Sequence, residues 1–291
     1  MMDKLLQDYL RERPMLLRVA YRIMGSQSEA EDILQDLYLK IMAYEGEAIE
    51  NPKAWMIRIV VNTAIDQKRS FYRHKVDYVG SWLPEPLIES ARTVREVHDD
   101  VSMALMVVLE RLNPIERAVF VLRETCEMKY SEIGSILGMT EAACRKTWQR
   151  AEAHMDQGRK RFQADPQIHQ NMTMAFLQYW SKGQTDELIK LLQSEAVLYS
   201  DGGGKVSATV QPIAGAKSII RFLLSLVRAA GPNVNVGARF LPPDFTCLLV
   251  DGKLETVISL DFEGERIRNL YFVRNPDKIA RVQARLDEEP A

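Results

Sequence analysis

The stretch YSEIGSILGMTEAACRKTWQRA, residues 130–151, decides how this chain is read. Its spacing predicts two helices joined by a tight turn. The first covers 131–137 and stops at Gly138; the second begins after Thr140 and runs well past Arg150. On a helical wheel Cys144, Trp148, Ala151, Met155 and Phe162 share one face. Ala142, Lys146, Gln149, Arg150 and Ala153 share the opposite one. A long helix with an apolar back and a basic front fits a DNA major groove. Its N-terminal half then meets base edges while the first helix braces the backbone. Duplex DNA is therefore the leading partner.

Outside that stretch, composition narrows the reading. The chain has 291 residues, enough for two or three domains, and its 46% hydrophobic content can fill a core in each. The net charge of −2 shows no overall basicity. The cations are instead local. Arg58, Lys68, Arg69, Arg73 and Lys75 make one cluster, and Arg145, Lys146, Arg150, Arg159, Lys160 and Arg161 another. An acidic stretch precedes them: Glu29, Glu31, Asp32, Asp36, Glu45, Glu47 and Glu50. Two basic patches and an acidic one fit a protein that binds DNA together with a second large partner. Cys126, Cys144 and Cys247 are too scattered for a disulfide framework or a zinc site, and the four histidines are equally dispersed. No metal and no cofactor are expected. The start, MMDKLLQDYLRERP, lacks the apolar centre of a signal peptide, and no segment approaches a membrane span. The expected compartment is the cytoplasm.

Helical periodicity covers 2–24 and breaks at Gly25-Ser26. Ser28-x-x-Glu31 reads as a capping box opening a helix over 29–43. Asn51-Pro52 opens a third helix reaching about Arg73, with Met56, Ile57, Val60, Val61, Ala64 and Ile65 on its buried face. The segment VGSWLPEP, residues 79–86, cannot be regular helix; Trp82 and Leu83 make it an ordered linker. Helices resume near Val97 and again after Asn113-Pro114, and a boundary falls at 163–166. Beyond it, helices over 167–180, 185–192 and 216–228 accompany strands over 196–200, 234–240, 246–250, 254–262 and 265–273. Asp251-Gly252 is a hairpin signal, and the strands are expected to run antiparallel in an α+β domain.

Three segments together carry a family resemblance: RVAYRIMGSQSEAEDILQDLYLKI, NPKAWMIRIVVNTAIDQKRS and LNPIERAVFVLRETCEMKYSEIGSILGMTEAACRKTWQRA. In this order they resemble regions 2 and 4 of bacterial sigma factors of the extracytoplasmic-function class. WLPEP, DGGGK at 201–205 and NPDK at 275–278 are similar to the subgroup with a fused SnoaL-like C-terminal domain, a cone of the nuclear transport factor 2 type. The resemblance implies a multidomain fold: a region 2 helical domain over 1–75, a linker over 76–96, a region 4 helix-turn-helix domain over 97–163, and an α+β cone over 164–291. It implies RNA polymerase core (the β′ clamp and the β flap) and promoter DNA as partners. It also implies a built-in regulator without a separate anti-sigma protein, and no membrane. The free chain is expected to be a monomer. Gly134 departs from the alanine usual in such first helices and is expected to loosen that helix by roughly 1 kcal/mol.

Asp32, Gln35, Asp36 and Lys40 make the expected polymerase-docking face. Trp55, Arg58, Asn62, Arg69 and Arg73 are the candidates for the −10 element, with Asp66 orienting Arg69 and Trp55 either stacking on a base or packing on a neighbouring helix. The loop 44–51 is where the resemblance places capture of a flipped −10 base. Arg145, Lys146, Gln149 and Arg150 are the candidates for the −35 element, since arginine and lysine suit guanine edges and glutamine suits adenine. The regulatory contacts are assigned to Trp82, Leu83, Pro84, Glu85 and Pro86, to Asp201, Gly202, Gly203, Gly204 and Lys205, and to Asn275, Pro276, Asp277 and Lys278. Asp201-Gly-Gly-Gly-Lys205 lacks the spacing and hydroxyl of a Walker sequence, so its glycines are read as permitting a tight turn and close backbone contact. A rival reading makes the last domain an enzyme or small-ligand binder, with Asp201 or Asp261 as acid or base and His169 the domain's single histidine. No paired catalytic constellation stands out. In that reading the helix-turn-helix belongs to a regulator that binds DNA alone.

Overall fold

A computed structural model of the protein describes residues 2–74, 78–87, 102–159, 166–231, 234–241 and 244–288. Lys75, the resumption near Val97, Lys160, Arg161, Phe162 and the boundary at 163–165 lie outside them, as do the side chains of Arg73 and Arg159. The described chain forms two compact units, one of Met1–Val76 with Val108–Gly158 and one of Asp77–Val107 with Arg159–Ala291.

The first unit is all helix: α1 (Met2–Met24), α2 (Gln27–Met42), α3 (Pro52–His74), the end of α4 (Met103–Leu109), α5 (Pro114–Thr125), α6 (Tyr130–Leu137) and α7 (Glu141–Arg159). Helix α2 starts two residues earlier than expected, at Gln27 rather than Glu29. Its N-cap is Ser26, whose hydroxyl accepts from the Glu29 amide at 3.3 Å. Asn51 caps α3 by accepting from the Ala54 amide at 3.0 Å. Asn113 and Glu116 form a reciprocal capping box on α5. The predicted apolar face of α3 is buried in full, and α1, α2 and α3 pack on one another through it. Helix α5 packs on α1 and α3, and α6 on α3.

Lys68 is not part of a DNA-facing cluster. It is fully buried, and its Nζ donates to the Met24 carbonyl at 2.6 Å and to Glu110 Oε1 at 2.8 Å. Arg117, also fully buried, donates through Nε to the Arg22 carbonyl at 2.5 Å and through Nη1 to the same Glu110 oxygen. Two cations thus share one carboxylate and also satisfy carbonyls at the C-terminal end of α1, where the helix dipole favours positive charge.

The second unit holds residues 78–87, the start of α4, helices α8 (Pro166–Ser181), α9 (Thr185–Leu191), α10 (Ala216–Ala230) and α11 (Pro276–Glu288), and one six-stranded sheet. Its strands are β1 (Leu192–Asp201), β2 (Ile213–Ala214), β3 (Val236–Leu241), β4 (Phe245–Val250), β5 (Lys253–Glu263) and β6 (Arg266–Val273), in the order β2-β1-β6-β5-β4-β3. The expected antiparallel run is broken once, because β1 pairs with β6 in parallel. The Asp251-Gly252 hairpin forms, with both residues at positive φ.

Strand alternation gives the sheet two buried faces. Leu270 and Phe272 point into one core with Phe176, Trp180, Leu223 and Ile258. Tyr271 and Val273 point into the other with Phe245, Cys247, Val257, Ile279, Val282 and Leu286. Leu83, Met103 and Ala104 complete this second core. The linker is thus part of the packing of the C-terminal unit.

Candidate functional site

Helix α2 exposes Asp32, Gln35, Asp36 and Lys40 and buries Ile33, Leu34 and Leu37. The same surface carries Leu39 and Met42, 57% and 41% exposed, which charge-based reading missed. Apolar side chains left in water beside acids make a mixed face suited to a protein partner.

Helix α3 presents its polar side to a cleft of about 400 Å³. Trp55, Arg58, Ile59, Asn62 and Asp66 line it from α3, and Lys40 from α2. Arg69 lies further along α3, exposed, with Nη1 3.4 Å from Asp66 Oδ1. Trp55 has two contacts here. It lines the cleft, and it meets Tyr44 edge-on with ring centroids 5.5 Å apart. Asn62 Nδ2 donates to the Ile136 carbonyl at 3.4 Å, so α6 sits against this face. A second cleft of about 310 Å³ lies beside the loop, lined by Tyr44, Ala48, Ile49 and Glu50 and by Lys4, Asp8 and Arg11 of α1.

In the helix-turn-helix, Gly138 takes φ 67° and ends α6, and the Thr140 hydroxyl accepts from the Ala143 amide at 3.2 Å to start α7. The structure gives Gly134 a packing reason rather than a loosening one. A Cβ there would stand 2.5 Å from the Met139 carbonyl oxygen, so glycine lets the turn close tightly. Cys144, Ala151 and Met155 are buried, and Lys146, Gln149 and Arg150 are exposed. Arg145 is held by Glu141 at 3.0 Å and Arg150 lies 3.7 Å from Glu116, whereas Lys146 and Gln149 stand clear of any ion pair among the described residues.

The densest polar site is in the second unit, around Asp201. Its carboxylate is fully buried at the end of β1. Oδ1 accepts from the Tyr78 hydroxyl at 2.5 Å and from the Gly203 amide at 3.0 Å. Oδ2 accepts from the Leu83 amide at 2.8 Å and from Lys278 Nζ at 2.7 Å. Lys278 also donates to the Leu83 carbonyl at 2.5 Å and sits 4.1 Å from the Trp82 ring centroid. Both backbone groups of Leu83 are therefore taken by this one ion pair. Asn275 works in two directions. Its Oδ1 accepts from the Asp277 amide at the start of α11, and its Nδ2 donates to the Tyr78 hydroxyl at 3.1 Å.

The glycines make this approach possible. Gly203 has φ 62°, and a Cβ there would lie 2.4 Å from Asn275 Nδ2. One on Gly202 would lie 2.4 Å from the Val206 carbonyl oxygen, and one on Gly204 would lie 3.4 Å from Val79 Cβ. Lys205 pairs with Asp277 at 2.5 Å, and buried Glu85 lies 3.8 Å from Arg281. Pro84 and Pro86 are buried, and Pro276 opens α11. Burial first, and then the Asp201 carboxylate, push the Tyr78 hydroxyl up, so it remains a neutral donor. Tyr78 and Arg281 were not foreseen from sequence; Tyr78 lies four residues ahead of Trp82, in the same extended segment.

The polar groups of the enzyme reading are engaged elsewhere. Asp201 holds the linker, Asp261 accepts from Asn269 at 2.7 Å, and a His169 ring nitrogen lies 2.9 Å from the Leu260 carbonyl oxygen. No helix among the described residues is long and apolar enough to cross a membrane.

Residues 9–73 match Sigma-70 region 2, and residues 102–155 match Sigma-70, region 4. The chain is 31% identical over 289 residues to the ECF RNA polymerase sigma factor SigJ of Mycobacterium tuberculosis, covering 91% of this chain and 90% of that one. The probable ECF RNA polymerase sigma factor SigI of the same organism is 28% identical over 185 residues, 62% of this chain and 64% of the relative. The crystal structure of M. tuberculosis SigJ matches with a TM-score of 0.74 at 26% identity, over 94% of this chain and 98% of that one.

Proposed function

The chain belongs to the extracytoplasmic-function RNA polymerase sigma factors, and from that premise we propose how its parts divide the work of initiation and its control. It directs promoter-specific transcription by RNA polymerase core. The exposed face of α2, with Asp32, Gln35, Asp36, Leu39 and Met42, docks on the polymerase clamp. The polar side of α3, with Trp55, Arg58, Asn62, Arg69 and Arg73, follows the melted −10 strand. The cleft beside loop 44–51 takes an unstacked base. Helix α7 reads the −35 duplex through Arg145, Lys146, Gln149 and Arg150.

The C-terminal unit regulates this activity in cis, which requires no separate anti-sigma protein. Residues 78–87 join the −10 and −35 modules, and seating them in the C-terminal unit limits how those modules are placed. The observation that carries this reading is buried Asp201, whose carboxylate binds the linker at Tyr78 and Leu83 and is neutralised by Lys278. A buried carboxylate with four donors is a strong, directional clamp, and removing either charge leaves the other uncompensated. The seated and released states need differ by only a few kcal/mol for a partner to switch them.

The test is run-off transcription with core polymerase and a promoter library, comparing the intact chain with Asp201→Asn and Lys278→Met. Both substitutions are expected to raise initiation. A fall reverses the sign of the regulation, and an unchanged rate removes the clamp from the mechanism. If the intact chain neither binds core nor initiates, the docking and reading roles fail as well.

A further inference from the structure

We infer that Tyr130 and Glu116 are positioning residues for the −35 element. They pin Arg145 and Arg150 to opposite rims of the reading face of α7 as phosphate contacts, and leave Gln149 between the rims to meet base edges. The proposal rests on the −35 reading of α7 and sorts its contacts by role.

The helix itself sets the order. Each residue is turned about 100° from the one before it. Measured from Arg145, Gln149 therefore lies at about 40°, Lys146 at about 100° and Arg150 at about 140°. The two arginines bound the polar arc, and the other two side chains fall inside it. A helix seated in a major groove turns the middle of such an arc to the base edges and its rims to the two phosphate walls.

Neighbouring helices hold each rim. On the Arg145 side stands Tyr130, the first residue of α6. Its ring centroid lies 5.5 Å from Arg145 Cζ, and the ring meets Trp148, on the back of α7, edge-on at 6.2 Å. Glu141, one turn before Arg145, accepts from its Nη2 at 3.0 Å. On the other side stands Glu116 of α5, which is buried. Its Oε1 lies 3.7 Å from Arg150 Nε and its Oε2 4.0 Å from His154 Nδ1, so the carboxylate faces that edge of α7. Arg150 Nη2 also donates to Thr147 Oγ1 at 3.3 Å. Both guanidinium groups are thus tied on their protein side and exposed on the other. An arginine so tied has committed part of the fork that a guanine edge requires, whereas a phosphate oxygen needs only one N–H. It has also given up rotamer freedom before DNA arrives, so binding has less ordering left to supply. Gln149 is exposed and tied to neither rim.

The experiment measures binding of the full chain, assembled with core polymerase, to duplex promoter fragments varied in the −35 element, across a range of salt. Arg145→Ala and Arg150→Ala are each expected to weaken all sequences alike, by about threefold to tenfold, and to lower the salt slope by about 0.9, the value for one phosphate on a duplex. Tyr130→Leu and Glu116→Gln are each expected to weaken binding by about twofold to fivefold, through the lost preorganisation. Each adds nothing further once the matching arginine is alanine. Tyr130→Phe keeps the ring and the native affinity. Glutamine also completes a capping box, so Glu116→Gln leaves α5 capped. The positioning role is overturned if either effect persists undiminished in the arginine-to-alanine background, as a general loss of folding would, or if neither variant has an effect. A loss on Arg145→Ala or Arg150→Ala that is confined to one base pair overturns the phosphate assignment. If those two variants and Gln149→Ala all leave binding unchanged, the −35 reading of α7 fails as well.

Discussion

Glu110→Gln is the sharpest single perturbation of the first unit. Glu110 carries the one carboxylate shared by Lys68 and Arg117, whose side chains are 1% and 0% exposed. Glutamine keeps the shape and one acceptor oxygen but removes the charge. Lys68 keeps the Met24 carbonyl and Arg117 keeps the Arg22 carbonyl, yet the two cations then face each other without an anion between them. Breaking a buried pair by removing one partner costs about 3–5 kcal/mol. The retained acceptor puts the expected loss near the lower end, about 3 kcal/mol. Against a total stability of about 5–15 kcal/mol that is a large share. In urea, with a slope of about 2–3 kcal/mol per molar, the unfolding midpoint of the first unit falls by about 1–1.5 M.

Hydrogen exchange read by mass spectrometry localises the effect, with protection lost at the end of α1, along α3 and in α5 while the sheet of the second unit is unchanged. The combined replacement Lys68→Met, Glu110→Leu and Arg117→Met removes all three charges but also the donors to the Met24 and Arg22 carbonyls, so it should be no less stable than Glu110→Gln. A Glu110→Gln loss below about 1 kcal/mol, or a triple variant less stable than Glu110→Gln, refutes the reasoning.

The remaining predictions concern the linker and the DNA-reading helix. Leu83→Ala removes a side chain from the second core and should cost about 2–5 kcal/mol, read as lost protection in β4, β6 and α11; unchanged exchange there means the linker is not part of the fold. Tyr78 has a raised pKa in the folded chain, so its contribution is fully present below the ordinary tyrosine value near 10 and is lost as pH rises past it. The stability difference between the native chain and Tyr78→Phe should therefore shrink above about pH 10, and a difference that grows with alkali contradicts the assignment. Gln149→Ala should relax preference at one −35 base pair by about 1–3 kcal/mol in a promoter-library assay, whereas Lys146→Ala should weaken all sequences alike if it meets phosphate; a Gln149→Ala profile identical to the native one removes it from base reading.

What the sequence made legible was local. Asn51, Asn113, Thr140 and Gly138 mark helix ends by their own chemistry, and each sits at a helix boundary in the structure. Ser26 and Ser28 each stand three residues before a glutamate, so the cap of α2 was ambiguous by two positions. Lys68 was legible and misread. It follows Val61, Ala64 and Ile65 at helical spacing, which places it on the buried face and announces a partnered charge. The parallel pairing of β1 with β6 joins segments some 70 residues apart, as in Leu198 with Leu270, and no local pattern encodes it. Strand β2 has two residues, too few for any alternation to register. Around Asp201 the sequence pointed to DGGGK, NPDK and WLPEP through resemblance, but that one carboxylate gathers them is a property of the folded sheet end.

The linker's place in the second core has a consequence for how such a regulator is tuned. Leu83 shares that core with Phe245, Cys247, Val257, Ile279 and Val282. Withdrawing residues 78–87 and loosening the C-terminal unit are therefore one event, and the set point of the switch is the stability of that unit. Substitutions in β4 or α11 that weaken this core are then expected to move the threshold for transcription, as changes at Asp201 are. Regulatory drift can then accumulate by ordinary core packing while the DNA-reading helices keep their sequence.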